Sequence, residues 1–385
     1  MSAYIHDAVR TPRGRARPDG GLAALKPQEL VTGLIDALEA RGHASRAADA
    51  LILGCVGQVG AQGANIALVS KLHAGLDDGA FAFSLNNFCV SGLTAVGQAA
   101  ALVQTGAVRS ALAGGVEMMS RVPFMGDKAD YYDDAAFPPR TRYIPVAVAA
   151  DRLAEDLGVT RGEMDAAALT SQQRTAAAEG TPLNASRIAL NGLDREEAAR
   201  AQTTAESLAA MPAAFAALAA PYAEALEGRA LDHQHTVAHA PPMSDGAGLA
   251  LVSNQAEGAR ARILAWVEAG GDPSASLTAG FTAMDRALDK AGLTLADMDR
   301  IEFMEAFAVV IAQFLRTRPG HADRVNVGGG HLAKGHPMGA TGATLLPLLL
   351  DALDACRGRY GLVVASGAQG VGSAMIVERL GGGAP

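Results

Sequence analysis

Short apolar runs alternate with amphipathic stretches along most of this chain, and this alternation constrains the fold more than any other feature of the sequence. A run such as AYIHDAV is typical of a buried strand, whereas PQELVTGLIDALEA has apolar residues at helical spacing. The pattern predicts strands at 3–9, 50–56, 80–85, 110–116 and 361–367, and helices at 27–40, 64–75 and after Cys89. Strands that alternate with helices form a layered α/β fold with a largely parallel sheet.

Residues 119–240 break this alternation. The region contains Ala-rich helical segments but few strand-type runs, so we expect an inserted, mainly helical loop domain there. The alternation returns after residues 244–254. The rest of the chain then divides into an N-terminal half, residues 1–118 plus 241–260, and a C-terminal half, residues 261–385.

The two halves share a short pattern. CVSGLTA begins at Cys89 and HPMGATG begins at His336, and in each a glycine follows three residues later and a threonine five residues later. An apolar helix and a small-residue strand come after both. Such self-similarity over a long period suggests a duplication. Two related halves packed together bring both helix N-termini to one cleft, so we expect Cys89 and His336 to face each other.

Composition excludes several classes of protein. The chain has 32 basic and 40 acidic residues, a formal charge of −8 and no basic block, which argues against a nucleic-acid partner. Its three cysteines, Cys55, Cys89 and Cys356, are sparse and odd in number, as in proteins of reducing compartments. The start does not resemble a signal peptide, and no apolar run approaches membrane-spanning length. We expect a cytoplasmic protein without a membrane span.

Cys89 is the candidate nucleophile. A helix N-terminus or a nearby imidazole lowers the pKa of a thiol, and Cys89 precedes a predicted helix. Most free cysteines are small buried hydrophobes, and this is the interpretation for Cys55 and Cys356. His336, held by Pro337 in a glycine-rich loop, is well placed to accept the thiol proton. We expect His331 in the same loop to be structural.

Several motifs occur in an order typical of one family. They are RTPRGR, NNFCVSGLTAVGQAA, GGVEMMSRVP, SDGAGLALVSN, MEAFAVVIAQF, GGGHLAKGHPMGATGA and QGVGSAMIVE. By these motifs the chain resembles the thiolases, which are acyl-CoA C-acyltransferases. Residues 150–172 and the ending GSAMIVE are most similar to the thiolase subunit of fatty-acid-oxidation multienzyme complexes.

The resemblance implies a fold and partners. The fold is a thiolase-like pair of duplicated α/β/α halves with mixed five-stranded sheets and an inserted helical loop domain. The resemblance implies a homodimer or homotetramer that acts in fatty acid metabolism, as part of a fatty-acid-oxidation complex. Coenzyme A and acyl-CoA are its substrates, and no further cofactor is implied.

The resemblance also implies a two-step reaction. Cys89 takes the acyl group of a 3-ketoacyl-CoA, acetyl-CoA leaves, and a second CoA thiol accepts the acyl chain; the reverse is a Claisen condensation. His336 activates the thiol and, with a water, serves as an oxyanion donor. The backbone N–H groups of Cys89 and Ala368 stabilise the oxyanion. Gly335 lies in the motif beside His336, and we expect it to contact substrate or CoA.

The sequence departs from the family pattern at two single positions and in one loop. Ser366 stands where thiolases carry a second cysteine that acts as acid and base, and a hydroxyl is a poor base near neutral pH. Met304 replaces the Asn or His that precedes EAF, and a thioether donates no hydrogen bond. In the CoA-facing loop, expected to include Met243, the small polar residues are replaced by His239, Pro241 and Pro242.

Two alternatives to a thiolase follow from these departures. One is an atypical acyl-CoA condensing or hydrolysing enzyme that uses only Cys89 and His336. The other is a non-catalytic, thiolase-like partner chain. His233, His235 and His239 have a spacing found in metal sites. A histidine-containing loop is the more common context for such spacing, and we expect one near the substrate and no metal.

Overall fold

The computed structural model describes residues 1–381, and residues 382–385 of the predicted C-terminal half lie outside the described part. The strands are β1 (Ala3–Arg10), β2 (Gly14–Arg15), β3 (Ala50–Gly54), β4 (Phe81–Leu85), β5 (Ser110–Met118), β6 (Ser244–Ser253), β7 (Ala261–Gly270), β8 (Arg300–Phe303), β9 (Tyr360–Ser366) and β10 (Val371–Arg379). The α-helices are α1 (Pro27–Ala40), α2 (Ile66–Ala74), α3 (Ser91–Gln104), α4 (Val146–Leu157), α5 (Arg161–Ala178), α6 (Ala205–Ala209), α7 (Ala279–Ala291), α8 (Ala308–Thr317), α9 (His331–Lys334) and α10 (Thr341–Cys356).

The strands form one ten-stranded sheet that shows the duplication. Its order is β4-β3-β5-β6-β1-β7-β10-β9-β8, with β2 paired to β6. The first half has the order β4-β3-β5-β6-β1. Counted inward from the opposite edge of the sheet, β8, β9, β10 and β7 of the second half correspond to β3, β5, β6 and β1. The halves join where Ala3–Ile5 of β1 pairs antiparallel with Ala261–Ile263 of β7.

The sheet is mixed, as the resemblance implies. The largely parallel sheet expected from the alternation alone is wrong. Only β3 with β4, β3 with β5, and β8 with β9 pair in parallel among the strands of the described chain. The other pairs are antiparallel. In part this is because consecutive strands joined by a short connection must run in opposite directions. For example, β9 turns into β10 through only four residues, 367–370, and so short a connection joins antiparallel strands.

The second half has four full strands where five were expected. At the fifth position Val325 makes a single parallel bridge to Ile301. The side-chain amide of Asn326 forms hydrogen bonds with the backbone N–H and C=O groups of Phe303, which a longer neighbouring strand would pair with. Its Oδ1 accepts from Phe303 N at 2.7 Å, and its Nδ2 donates to Phe303 O at 2.9 Å.

The region between β5 and β6 contains helices and no strand within the described chain. Its helices are α4, α5 and α6, with short 3₁₀ turns between them. This matches the expected helical character of residues 119–240. The division into two halves and an inserted domain stays a prediction.

The helix α10 runs through the centre of the molecule. The stretch Met338–Cys356 is long and apolar enough to cross a membrane by length and composition, but most of it is buried inside the fold. It packs against α3, β1, β6, β8 and β9. This environment is that of a core helix.

Two glycines let α3 and α10 approach closely at their first turns. A Cβ on Gly92 would lie 2.8 Å from the backbone N of Ala343, and one on Gly342 would lie 2.5 Å from the backbone N of Leu93. Real Cβ atoms do not come so close to backbone. The two helix N-termini therefore meet, which brings the residues just before them together.

We predict that Gly92→Ala is strongly destabilising. Its methyl group must push α10 away, and overpacking of this kind costs about 1–3 kcal/mol. The matched control is Gly162→Ala in α5, where an added Cβ meets nothing within 4 Å and alanine is the better helix former by at most about 1 kcal/mol. Urea denaturation measures both. Equal losses in the two variants would contradict the close helix contact.

Candidate active site

A strained turn places Cys89 directly before α3. Phe88 has φ of +48°, a left-handed conformation that is costly for a side chain of its size. The turn is held by Ser91, whose Oγ accepts from Asn87 N at 2.7 Å and donates to Phe88 O at 2.6 Å. The thiol is thereby fixed at the helix N-terminus, as predicted.

His336 is placed by its neighbour Gly335. Gly335 has φ of +105°, and a Cβ there would lie 1.9 Å from Ser244 Oγ, so only glycine fits. The chain is then tied down by His336 N, which donates to Pro242 O at 2.8 Å. The structure thus gives Gly335 a positioning role, and its predicted contact with substrate or CoA stays a prediction.

Cys89 and His336 meet although 247 positions separate them. The distance from His336 Nε2 to Cys89 Sγ is 3.3 Å, which confirms that the two residues face each other. His336 Nδ1 lies 2.6 Å from Thr341 Oγ1. With Nδ1 protonated and donating to this hydroxyl, Nε2 is free to accept the thiol proton.

Burial decides the charge state of the pair. It raises the pKa of the Cys89 thiol to about 12, and it lowers the pKa of His336 to about 3, with a smaller contribution from the nearby Arg13. The expectation that the helix N-terminus and the imidazole lower the thiol pKa is therefore wrong in its net direction, because desolvation is the larger effect. The resting pair is a neutral thiol beside a neutral imidazole.

Two backbone N–H groups reach the sulfur. Those of Ala368 and of Cys89 itself donate toward it, and both act to lower the thiol pKa against the effect of burial. The turn that carries Ala368 is held by Gln369 N, which donates to Ser276 Oγ at 3.0 Å. These are the two donors predicted to form the oxyanion hole. Their position suits that role, which stays a prediction.

Glu117 holds together two backbone segments beside the site, and the sequence analysis missed this residue. The buried carboxylate accepts from Val56 N at 2.8 Å, Gly57 N at 3.0 Å and Gly339 N at 3.0 Å. It thus ties the loop after β3 to the segment that links His336 to α10. Burial raises its pKa. The signal in the sequence was a carboxylate inside the otherwise apolar strand β5.

A cavity of about 430 Å³ opens on Cys89 and His336. Apart from these two, every residue that lines it is apolar. The set comprises Met119, Phe124, Pro145, Val146, Ala147, Phe215, Leu218, Val237, Ala240, Pro241, Pro242, Met243, Leu277, Met304, Ala306, Phe307 and Met338. Nearly half of the wall comes from residues 119–240. Such a cavity is large enough for a small-molecule ligand.

Comparison with known proteins identifies the family. The model of the thiolase N-terminal domain matches residues 3–256, and that of the thiolase C-terminal domain matches residues 258–379. This chain belongs to the thiolase family. It is 33% identical to the 3-oxoadipyl-CoA/3-oxo-5,6-dehydrosuberyl-CoA thiolase of Escherichia coli, over 98% of this chain and 99% of the relative.

Other relatives agree with this assignment. A beta-ketoadipyl-CoA thiolase of Acinetobacter baylyi is 34% identical over 98% of this chain and 99% of its own length. The crystal structure of the Bacillus anthracis acetyl-CoA acetyltransferase superposes with a TM-score of 0.83 at 26% identity, covering 98% of this chain and 99% of the other. The thiolase fold expected from the motifs is confirmed.

Neither Ser366 nor Met304 supplies an acid or base to the cavity. Ser366 is 1% exposed at the end of β9, where its Oγ accepts from Gly280 N at 3.1 Å. It is absent from the cavity wall of the described chain. Met304 lines the cavity with its thioether. Among the described residues of this wall, His336 is therefore the only base.

The histidines of the loop before β6 pair with carboxylates distant in sequence. His233 and His235 each place Nδ1 2.7 Å from an oxygen of Asp151. His239, predicted to contact substrate or CoA, is instead buried with Nε2 2.7 Å from Asp165, and burial lowers its pKa to about 4. Among the described residues, no group of three or more His, Cys, Asp or Glu side chains is placed to hold a metal.

Pro241 and Met243 of the same loop do line the cavity. His331 is buried beside the site, with its ring 5.9 Å from that of His336 in an edge-to-face arrangement.

The two other cysteines lie in different environments. Cys55 is buried as expected, and burial raises the pKa of its thiol well above the ordinary value. Cys356 is exposed, so its predicted burial is wrong. It lies in the last turn of α10, where the helix emerges from the core.

We predict that Thr341→Val slows acylation of Cys89 about tenfold, the effect of losing roughly one net hydrogen bond of about 1.4 kcal/mol. The valine has nearly the same shape but cannot hold His336 Nδ1. The conservative Thr341→Ser keeps the hydroxyl and restores the rate. Stopped-flow acylation measures the effect. If Thr341→Ser were as slow as Thr341→Val, the orienting role of this hydroxyl would be refuted.

Proposed function

We propose that this thiolase is an acyl-CoA C-acyltransferase that carries the acyl group on Cys89 and cleaves or forms 3-ketoacyl-CoA. The observation that carries the proposal is the 3.3 Å approach of His336 Nε2 to Cys89 Sγ at the end of an apolar cavity. The relatives support it, since their names describe thiolases of CoA thioesters and an acetyl-CoA acetyltransferase.

In the cleavage direction Cys89 Sγ attacks the C3 carbonyl of the 3-ketoacyl-CoA. The thiol proton passes to His336 Nε2 as the S–C3 bond forms. The negative charge on the carbonyl oxygen is stabilised by the N–H groups of Cys89 and Ala368. When the C2–C3 bond breaks, its electron pair stays on C2 and takes the proton from His336. Acetyl-CoA leaves, and Cys89 holds the acyl group.

The second half-reaction returns the enzyme to its starting state. A CoA thiol attacks the acyl carbon, and its proton passes to His336 Nε2. The S–C bond to Cys89 breaks, and the sulfur recovers that proton. His336 thus accepts and returns the proton in both half-reactions, because neither Ser366 nor Met304 supplies a second base. Loss of a positioned acid or base costs about 10²–10⁴ in rate, so we expect turnover to be slow.

A second candidate is an acyl-CoA hydrolase or condensing enzyme that uses only Cys89 and His336. The observation that favours it is the burial of Ser366 against Gly280, which leaves the cavity without the second acid and base that thiolases use on the CoA thiol. Product analysis with and without free CoA distinguishes the two. The non-catalytic partner chain is disfavoured, because the thiol and imidazole keep a contact that a scaffold does not need.

Some expectations stay predictions. They are the cytoplasmic location, the lack of a cofactor besides CoA, the role in fatty acid metabolism, membership of a fatty-acid-oxidation complex and the homo-oligomeric state. One observation bears on the last: β4 is an edge strand with Phe81 44% exposed. Unpaired backbone on an edge strand is a template for pairing with another chain.

We predict that incubation with an acyl-CoA adds one acyl group to the protein. Intact-mass spectrometry shows the adduct, and peptide mapping places it on Cys89. Cys89→Ala abolishes the adduct, whereas Cys356→Ala removes an exposed thiol and leaves it unchanged. An adduct that survives Cys89→Ala, or wild-type protein that takes none from any acyl-CoA, would refute the proposed function.

A further inference from the structure

Four of the six tyrosines in the chain line one cavity in the region between β5 and β6. They are Tyr131, Tyr132, Tyr143 and Tyr222, and we call this space of about 370 Å³ the tyrosine cavity. Aromatic residues make up only 4% of the sequence, so such a concentration of rings is unusual. The tyrosine cavity shares no described lining residue with the apolar cavity at Cys89. Its size suits a small molecule.

The four rings form one group around Tyr143. Its ring centroid lies 4.9 Å from that of Tyr132, 6.1 Å from that of Tyr222 and 6.3 Å from that of Tyr131. The interplanar angles are 59°, 67° and 73° in the same order. Because the rings are steeply inclined to one another, they enclose a concave site and do not form a flat stack.

The rings are available to a ligand, whereas at least two of the hydroxyl groups are not. Tyr131 OH donates to Thr141 O at 2.7 Å, and Tyr132 OH donates to the Asp127 carboxylate at 3.0 Å. Neither Thr141 nor Asp127 is in the described lining of the tyrosine cavity, so these hydroxyls point away from it. A molecule in the cavity therefore meets aromatic surface at these two residues.

The rim of the tyrosine cavity is acidic. Its wall carries three carboxylates, on Asp133, Asp134 and Glu224, and one cation, Arg142. Arg142 is already engaged, since its Nη1 donates to Glu224 at 2.6 Å and its Nε and Nη2 donate to two backbone carbonyls at 2.6 Å. Asp133 and Asp134 form no ion pair within the described part of the chain. Two negative charges at the rim thus stay unbalanced.

The surroundings of the rings support a binding role. Tyrosines that only packed a loop together would be buried, but Tyr131, Tyr132 and Tyr222 are all half-buried. Burial and the nearby Asp133 carboxylate raise the pKa of Tyr222, which places that negative charge close to its ring. The site is thus open to solvent, aromatic on its walls and negative at its edge.

This combination selects the charge and the chemistry of a ligand. Unbalanced carboxylates repel anions. A bare metal ion needs several ligating side chains, and among residues 1–381 no group of three or more His, Cys, Asp or Glu is placed to hold one. Aromatic faces attract cations, and sites built from several rings are typical of those that bind alkylated ammonium groups. An organic cation is therefore the ligand that fits.

We propose that the tyrosine cavity binds a small organic cation that carries an alkylated ammonium group. The ammonium lies against the tyrosine rings, and Asp133 and Asp134 balance its charge. Tyr132 and Tyr143 also line a cavity of about 30 Å³ that reaches Cys89, so these rings separate the bound cation from the nucleophile. The proposal goes beyond the acyltransferase reaction, in which the tyrosine cavity has no part.

The first test compares choline with 3,3-dimethylbutan-1-ol, which has the same shape but carries carbon in place of the charged nitrogen. Isothermal titration calorimetry on the wild-type protein measures both. We expect choline to bind at least about tenfold more tightly, because only the ammonium is attracted to the rings and the carboxylates. Raising the NaCl concentration from about 50 mM to about 500 mM should weaken choline binding, since salt screens exposed charges.

A pair of variants at Tyr222 tests the role of the rings. Tyr222→Leu removes an aromatic face and should weaken choline binding about threefold to tenfold. Tyr222→Phe keeps the ring and loses only the hydroxyl, so its affinity should stay within about twofold of the wild-type value. Equal weakening by the two substitutions would contradict binding by the ring.

A second pair of variants tests the carboxylates. The double variant Asp133→Asn/Asp134→Asn should weaken choline binding about threefold or more and leave the affinity for 3,3-dimethylbutan-1-ol unchanged. The control is Asp19→Asn, which removes an exposed carboxylate outside the described lining and should change neither affinity. A double variant that binds choline like the wild type would contradict the role of the acidic rim.

The wild-type comparison decides the proposal without relying on the folding of any variant. Choline that binds no more tightly than 3,3-dimethylbutan-1-ol, or that shows no saturable binding up to about 10 mM, overturns the cation site. Acylation of Cys89 does not enter this measurement. A negative result therefore leaves the proposed function standing.

Discussion

The close contact between α3 and α10 is the constraint on which the rest of the site depends. Gly92 and Gly342 remove the side chains that would hold these helices apart. The helix N-termini then meet, and Cys89 and His336, each just before its helix, come within 3.3 Å. The repeated glycine of the two motifs is Gly92 in one and Gly339 in the other, and a Cβ on Gly92 would lie 2.9 Å from the carbonyl oxygen of Gly339. These two glycines mark where one half must fit the other.

Burial gives this pair its chemical character. The apolar wall of the cavity withdraws the thiol and the imidazole from water, which raises the pKa of Cys89 and lowers that of His336. Neither charged form is favoured at rest. The thiolate forms only as its proton moves to His336, with N–H groups already aimed at the developing charge. Activation of the nucleophile is therefore coupled to proton transfer inside an apolar cavity.

Local features could be predicted from the sequence. The bounds of α1 match those read from its apolar spacing, and the meeting of Cys89 with His336 followed from the paired motifs. Features that depend on burial could not. The net direction of the thiol pKa shift, the emergence of Cys356 and the pairing of His239 with Asp165 all depend on residues distant in sequence. Glu117 was missed because its partners, three backbone N–H groups and the side chain of Gln62, come from segments distant in sequence.

The most direct measurement is the pH dependence of iodoacetamide alkylation at Cys89, in a Cys356→Ala background and followed by peptide mapping. A buried neutral pair predicts a slow rate without an inflection from about pH 5 to about pH 9, because neither the thiol nor the imidazole changes charge in that range. His336→Gln should lower the rate throughout. A rate that rises through an inflection between about pH 6 and pH 8.5 would mean that a thiolate forms before substrate binds. That result would contradict the neutral resting pair on which this account depends.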